Sequence, residues 1–176
     1  MPLVKTLLDD PNFLEFYVTA KKNTYAVVGN GKAETLRNGG KRYVFYDGER
    51  WPQWRYTDIY HGNNPFFGNE TAEEVGGTMP SIWTPIAQMS YNGCYTGATE
   101  EVKRVFAFLG NMLYRVSCAS PFRGPLDLVR EDGLQYWNSW IRKNAYCIDG
   151  EEVIQQFIIT MGPIIYQGSY QFCALR

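Results

Sequence analysis

Acid–base chemistry is first indicated by the stretch WRYTDIYHG, residues 54–62. Asp58 alternates here with Tyr56 and Tyr60, so a β-strand would place the three side chains on one face. If that face points into the protein, the carboxyl lies among phenols and burial raises its pKa, which suits a general acid or base. If it points outward, Asp58 is solvated or pairs with an arginine. We treat Asp58 as a catalytic candidate and the two tyrosines as ligand contacts.

Two further residues with proton-transfer chemistry follow within twelve positions of Asp58. His61 is the only histidine of the chain, but its place before Gly62 at a turn also fits an ordinary surface residue. Glu70 follows a Phe-Phe-Gly sequence at a strand end, where an acid enters a pocket, caps a backbone or stays in water. Glu151 and Glu152 hold a comparable place in the second half of the chain. If the two halves repeat, one carboxylate from each would face the other as an acid and base pair.

Arg123, in the sequence PFRGP, is the candidate anion contact. The flanking prolines and glycine stiffen its backbone, so the guanidinium would be presented to a carboxylate. The alternative is that the arginine pins its own loop or caps the preceding helix.

Aromatic residues are abundant, with 5 Trp, 13 Tyr and 10 Phe among 176 residues. A buried tyrosine brings a hydroxyl group that needs a partner, so strands lined with tyrosines predict a cavity for an apolar or aromatic ligand. The predicted ligand contacts are Tyr56, Tyr60, Phe67, Trp83, Met89, Tyr91, Arg123 and Tyr166.

Several other classes of function are disfavoured. The chain has 17 basic and 18 acidic residues without a basic block, so nucleic acid is not an expected partner. Its 4 cysteines form no C-x-x-C pair and share a single histidine, so we predict no metal site. Nucleotide-binding glycine motifs and a G-x-S-x-G elbow are absent, and no cofactor is expected. The chain lacks a signal peptide and an apolar run of about 18 residues, which predicts a cytoplasmic protein without a membrane partner.

Two helices and a series of strands would position these residues. A helix is predicted over DDPNFLEFYVTAKKNTY, with Asp10 as cap and Pro11 in the first turn, and a second over TEEVKRVFAFLGNMLYRVS, with Thr99 as cap. Segments in which aromatic residues alternate with polar ones precede and follow the second helix in the sequence and predict β-strands. Pro85 indicates that its strand is an edge strand or contains a bulge. We predict a single α+β domain over residues 1–176: a curved, mainly antiparallel sheet, barrel-like or in two facing meanders, with an N-terminal and a central helix.

The order of FLEFYVTAKKNTYA, YTDIYHG, FFGNE, IWTPIAQMSYNG, a helix, PFRGP and IIYQGSYQF resembles a bacterial domain-of-unknown-function family. Members occur alone or behind a helix-turn-helix regulator domain, so the resemblance implies a sensor role where that domain is present. It implies no catalytic residue. This chain departs from the pattern in lacking a helix-turn-helix segment and in a longer stretch NETAEEVGGTMPSIWTPIAQ. The matching positions are Lys21, Tyr25, Asp58, Tyr60, Gly62, Phe67, Gly68, Glu70, Trp83, Met89, Tyr91, Gly93, Arg123, Gly124 and Pro125.

Three functions fit these observations. The first is a small-molecule-binding domain with an aromatic-lined cavity. The second is a cofactor-free enzyme, an isomerase, cyclase or hydrolase for a bulky apolar substrate, with Asp58, Glu70 or His61 as acid or base. The third is an interaction domain that forms a homodimer through its aromatic strands.

Overall fold

The computed structural model describes residues 7–24, 32–76, 82–143, 151–160 and 164–174. A short 3-10 helix at Leu7–Asp9 precedes helix α1, and helix α2 lies between two groups of strands. The elements are α1 (Pro11–Asn23), β1 (Glu34–Thr35), β2 (Lys41–Phe45), β3 (Trp54–Gly62), β4 (Phe66–Val75), β5 (Trp83–Tyr95), α2 (Thr99–Tyr114), β6 (Val129–Glu131), β7 (Leu134–Lys143), β8 (Glu151–Thr160) and β9 (Ile164–Ala174).

Helix α1 begins as its sequence predicts. The Asp10 side chain accepts hydrogen bonds from the backbone N–H groups of Asn12 and Phe13, and Pro11 occupies the first helical position. Helix α2 has its N-cap one residue before the predicted Thr99 and ends at Tyr114, three residues before the predicted end. Its N-cap is Ala98, which has no side-chain oxygen, and the Glu101 carboxylate instead accepts a hydrogen bond from the Ala98 N–H. The acid in the first turn therefore satisfies the N-cap N–H, which is one half of a capping box, while Ala98 offers no side-chain oxygen to the N–H groups of the first turn.

The described strands form one antiparallel sheet in the order β1-β2-β3-β4-β5-β9-β8-β7-β6. The first five strands run as one meander and the last four as a second, and the two meanders join where β5 pairs with β9. Within the described ranges β1 and β6 each have a strand partner on one side, so the sheet is open and does not close into a barrel. The predicted α+β class, with two helices and two meanders, is confirmed.

A β-bulge lies at Pro85, within β5. The register with β4 shifts there: Ala72 pairs with Ala87, and Glu73 pairs with Pro85. Because β5 lies in the middle of the sheet, of the two predicted alternatives the bulge is right and the edge strand is wrong.

Each helix covers a different part of the inner face of the sheet. From α1, Phe13, Phe16 and Tyr17 pack against Trp54 and Tyr56 of β3 in a core that also contains Met89 and Phe172. Helix α2 buries Val105, Phe108, Leu109, Met112 and Leu113 against Leu134 and Tyr136 of β7. Neither helix in the described part of the chain has the length and apolar character needed to cross a bilayer.

Candidate functional site

A cavity of about 660 Å³ lies between α2 and the inner face of the first meander. Its mouth includes the exposed residues Asn63, Thr99 and Lys103, and its buried end is formed by Asp58, Tyr91 and Arg123. Most of the wall between these ends is apolar or aromatic. The remaining lining residues are Tyr43, Tyr60, Gly62, Phe66, Tyr95, Val102, Phe106, Ala107, Leu109, Gly110 and Leu113.

The buried end is organised around a hydrogen bond between residues on β3 and β5. The Tyr91 hydroxyl donates to Oδ1 of Asp58 over 2.8 Å, across the intervening strand β4. Gly68 of β4 makes this crossing possible, because a Cβ at Gly68 would lie 2.5 Å from both Cζ and the hydroxyl oxygen of Tyr91. The glycine of the FFGNE sequence is therefore a space requirement of the site.

A fully buried ion cluster lies beside Asp58. Glu70, the cross-strand partner of Asp58, receives Lys21 Nζ at 2.9 Å on Oε2 and Arg123 Nη2 at 2.9 Å on Oε1. The Tyr17 hydroxyl also donates to Oε2 of Glu70, over 3.2 Å. Since Lys21 and Tyr17 belong to α1, the cluster fastens this helix to the sheet.

The loop of residues 117–125 brings Arg123 to the cluster. Lys21 donates to the carbonyl oxygen of Phe122 over 2.7 Å, while Tyr136 and Asn138 of β7 donate to the carbonyl oxygen of Arg123. Gly124 has φ of +84°, and a Cβ there would collide with the carbonyl of Met112 in α2. The stiff backbone predicted for PFRGP is thus tied to both helices and to the second meander.

The surroundings shift the pKa values of the Asp58 and Glu70 carboxyl groups in opposite directions. Burial, followed by repulsion from Glu70, raises the pKa of Asp58 to about 7 against the opposing effects of Arg123 and the Tyr91 hydroxyl. Burial alone would also raise the pKa of Glu70, but Lys21 and Arg123 outweigh it and hold that pKa below its ordinary value. Near neutral pH, Glu70 is therefore ionised while Asp58 exchanges a proton.

The neighbouring groups respond to the same burial. Desolvation lowers the pKa of Lys21 to about 8, partly offset by the attraction of Glu70. Burial and the Asp58 carboxyl raise the pKa of Tyr91 well above its ordinary value. Burial also raises the pKa of Tyr43, whose ring stacks on Tyr60 with the centroids 6.3 Å apart. The phenols are therefore neutral hydrogen-bond donors at physiological pH.

The cavity brings together four of the predicted catalytic and ligand-contact residues. Asp58, Tyr60, Tyr91 and Arg123 all line it. Glu70 lies directly behind Asp58 with no solvent exposure.

Other predicted contacts lie in the core beneath α1 or on the outer face of the sheet. Tyr56 and Met89 are fully buried in the α1 core. On the outer face, His61 stacks on Phe67, which is 56% exposed, and Trp83 contacts Tyr46 and Arg55. The backbone of Tyr166 pairs with Tyr95, but the Tyr166 side chain lies outside the described residues, as do the side chains of Glu151 and Glu152.

Sequence reasoning assigned no site role to Lys21, Tyr17, Tyr43 or the apolar wall supplied by α2. Lys21 and Lys22 were both consistent with a favourable charge at a helix C-terminus, and only the first is buried. The available signal was the family resemblance, in which Lys21 is one of the matching positions. The part of the chain that the structure describes contains no group of three or more His, Cys, Asp or Glu side chains arranged to hold a metal ion.

The sequence of residues 58–173 matches a family model described as Domain of unknown function (DUF5680). Neither a curated protein nor a solved structure matches the chain. The matched segment includes Asp58, Glu70, Tyr91 and Arg123 together with α2, whereas Lys21 precedes it. Because the match covers more than half of the 176 residues, the chain belongs to the DUF5680 family of domains of unknown function.

Proposed function

We propose that this protein binds a small molecule with an apolar or aromatic body in the cavity between α2 and the first meander. The observation that carries the proposal is the cavity itself: its volume of about 660 Å³ falls within the range of roughly 300–1,000 Å³ found for ligand pockets. Its wall is mostly apolar, and its polar groups converge at one buried end. This division suits a ligand whose body is held by burial and whose head group is oriented by hydrogen bonds.

The test is to fill the cavity from α2 and measure the binding of a neutral aromatic probe. Gly110 is buried and lines the cavity, so Gly110→Leu places an isobutyl group at its wall. Leucine also removes the cost of about 1 kcal/mol that glycine carries relative to alanine inside a helix. We expect 2-naphthylmethanol, titrated by its fluorescence, to bind the wild-type chain and to bind Gly110→Leu at least about tenfold more weakly, a difference of about 1.4 kcal/mol.

The matched control is Asn111→Leu. Asn111 is the next residue of α2, is exposed, and does not line the cavity. This variant adds the same apolar side chain outside the site and should bind the probe as the wild type does. Equal binding by all three proteins would place the probe elsewhere, and absence of binding by the wild type would count against the proposal.

A second candidate function is cofactor-free acid–base catalysis, and the specific observation in its favour is Asp58. A carboxyl with a pKa of about 7 at the buried end of a cavity can both accept and return a proton near neutral pH. The test compares Asp58→Asn with the wild type in the hydrolysis of 2-naphthyl acetate. The reaction is monitored through the naphthol that it releases. Loss of turnover with retained binding of 2-naphthylmethanol would support the enzyme, whereas unchanged turnover or no turnover by the wild type would count against it.

The setting of this activity is proposed on sequence grounds. We infer a cytoplasmic bacterial protein without a nucleic-acid or membrane partner, and a sensing role for family members joined to a helix-turn-helix regulator domain. A homodimer through the exposed aromatic strand faces is the alternative from a different class. Its test is the mass of the chain in solution, and a monomer would argue against it.

A further inference from the structure

We propose that the ligand of this cavity carries one negative charge, as a carboxylate or a comparable organic acid, and that Asp58 is protonated in the complex. The inference rests on the proposed function, since it specifies the head group of a molecule that the cavity is proposed to bind. It follows from the balance of buried charge and from the set of hydrogen-bond donors at the buried end.

The groups that face Asp58 come from every element around it. They are Tyr43 of β2, Tyr60 of β3, Glu70 of β4, Tyr91 of β5, Lys21 of α1 and Arg123 of the 117–125 loop, with Lys103 of α2 at the mouth.

Charge balance distinguishes the classes of ligand. With Asp58 ionised, the buried cations Lys21 and Arg123 are balanced by the carboxylates of Asp58 and Glu70. With Asp58 protonated, the cluster has one excess positive charge, which a monoanionic ligand neutralises. An organic cation would instead add a third buried positive charge beside two carboxylates. Since an unbalanced buried charge is costly, an organic cation is disfavoured, and a monoanion is accommodated only together with a protonated Asp58.

The hydrogen-bonding groups are consistent with an oxyanion. A protonated Asp58 becomes a donor, and the hydroxyls of Tyr60 and Tyr91 and the guanidinium of Arg123 are donors on the same cavity wall, while the Tyr43 hydroxyl is hydrogen-bonded to Tyr60. Tyr91 donates to Asp58 in the free protein. When Asp58 takes a proton and becomes a weaker acceptor, the same hydroxyl can donate to the ligand oxyanion instead. Several donors around one small head group favour a negatively charged oxygen over an ammonium group, which has no acceptor capacity.

The experiment compares three probes that share one aromatic body and differ in head-group charge: 2-naphthoate, 2-naphthylmethanol and 2-naphthylmethylamine. Their affinities are measured by calorimetry at pH 8 on the wild-type chain and on Gly110→Leu. We expect 2-naphthoate to bind about 10- to 100-fold more tightly than the alcohol, as a charge-assisted hydrogen bond allows. The amine should bind most weakly, and the Gly110→Leu change should weaken the naphthoate complex.

Proton uptake provides a second readout that needs no variant at the buried end. Repeating the naphthoate titration at pH 8 in two buffers of different ionisation enthalpy gives the number of protons bound with the ligand. At this pH Asp58, with a pKa of about 7, is mostly ionised, and Lys21, with a pKa of about 8, is about half protonated. We therefore expect uptake of about one proton per ligand through Asp58 and up to about half a proton more through Lys21. At pH 5, where the free protein already carries that proton, uptake through Asp58 should fall close to zero.

The outcomes separate this inference from the proposed function. Tightest binding by the amine, equal binding of naphthoate and the alcohol, or uptake of about half a proton or less at pH 8, which Lys21 alone can supply, would overturn the inference and leave the cavity as a binding site. If none of the probes binds, or if Gly110→Leu changes nothing, the proposed function itself fails.

Discussion

Replacing Asp58 by asparagine should alter the pH dependence of stability in a defined direction. The folded chain holds the Asp58 pKa at about 7, compared with 3.8 for an unperturbed aspartate. Between these values the folded chain retains a proton that the unfolded chain has lost. The unfolded state therefore binds fewer protons, and this group makes the free energy of unfolding fall as pH rises from 3.8 towards 7.

The size of the effect follows from the same pair of values. The gap of about 3 pKa units corresponds to about 4 kcal/mol at full extent, and about 2–3 kcal/mol of this loss falls between pH 5 and pH 8. Asparagine matches the shape of the protonated carboxyl and does not titrate. Relative to the wild type, Asp58→Asn should therefore gain stability by that amount across the interval.

The assay is urea unfolding followed by circular dichroism at pH 5, 6, 7 and 8, with the difference between the two proteins as the quantity of interest. Asp127→Asn, at an exposed aspartate, is the matched control and should track the wild type. A difference between Asp58→Asn and the wild type that stays constant over this range would refute the reasoning, because it would mean that Asp58 titrates alike in the folded and unfolded chains.

Three further substitutions test the groups around the cavity. Lys21→Met should lower the free energy of unfolding by about 3–5 kcal/mol, because it removes one partner of a fully buried ion pair. The control is Lys22→Met, at the next and only partly buried residue, which should cost no more than about 1 kcal/mol in the same urea assay. Gly68→Ala should cost about 1–3 kcal/mol, since its Cβ would lie 2.5 Å from the carbonyl oxygen of Ile59 and from Cζ and the hydroxyl oxygen of Tyr91, and an unchanged urea midpoint would contradict these contacts. Tyr91→Phe should raise the pKa of Asp58 by about one unit or more, because the lost hydroxyl stabilises the ionised form; a carbon-13 NMR titration of the carboxyl would show this, and a lowered pKa would oppose it.

The sequence predicts the elements well because their signals are local. Asp10 and Pro11 mark the start of α1 through contacts within one turn. The alternation of Tyr56, Asp58 and Tyr60 likewise follows from the period of a strand, and the structure places all three on the inner face. These features depend on residues a few positions apart, which a single sequence displays directly.

The site was less predictable because its contacts span distant parts of the chain. The pairing of Lys21 with Glu70 depends on how α1 lies across the sheet, and the position of the cavity depends on where α2 leaves the inner face uncovered. Tyr91 reaches Asp58 only because Gly68 is on the strand between them. The outer position of Phe67 follows from the phase of β4 relative to β3, which is fixed by the hairpin register and has no separate signal in the sequence.

Lys21 of α1 also bears on how much of the chain is needed for a stable fold. The family match starts at residue 58, inside β3, whereas the cation on Oε2 of Glu70 is supplied from position 21. A protein shortened to the matched segment would keep one of the two cations of Glu70 and would expose Met89 and Phe172 where the aromatic side of α1 had covered them. We therefore expect a stably folded fragment to extend upstream of the family boundary to at least Pro11, and fragments intended for expression or crystallisation should retain that helix.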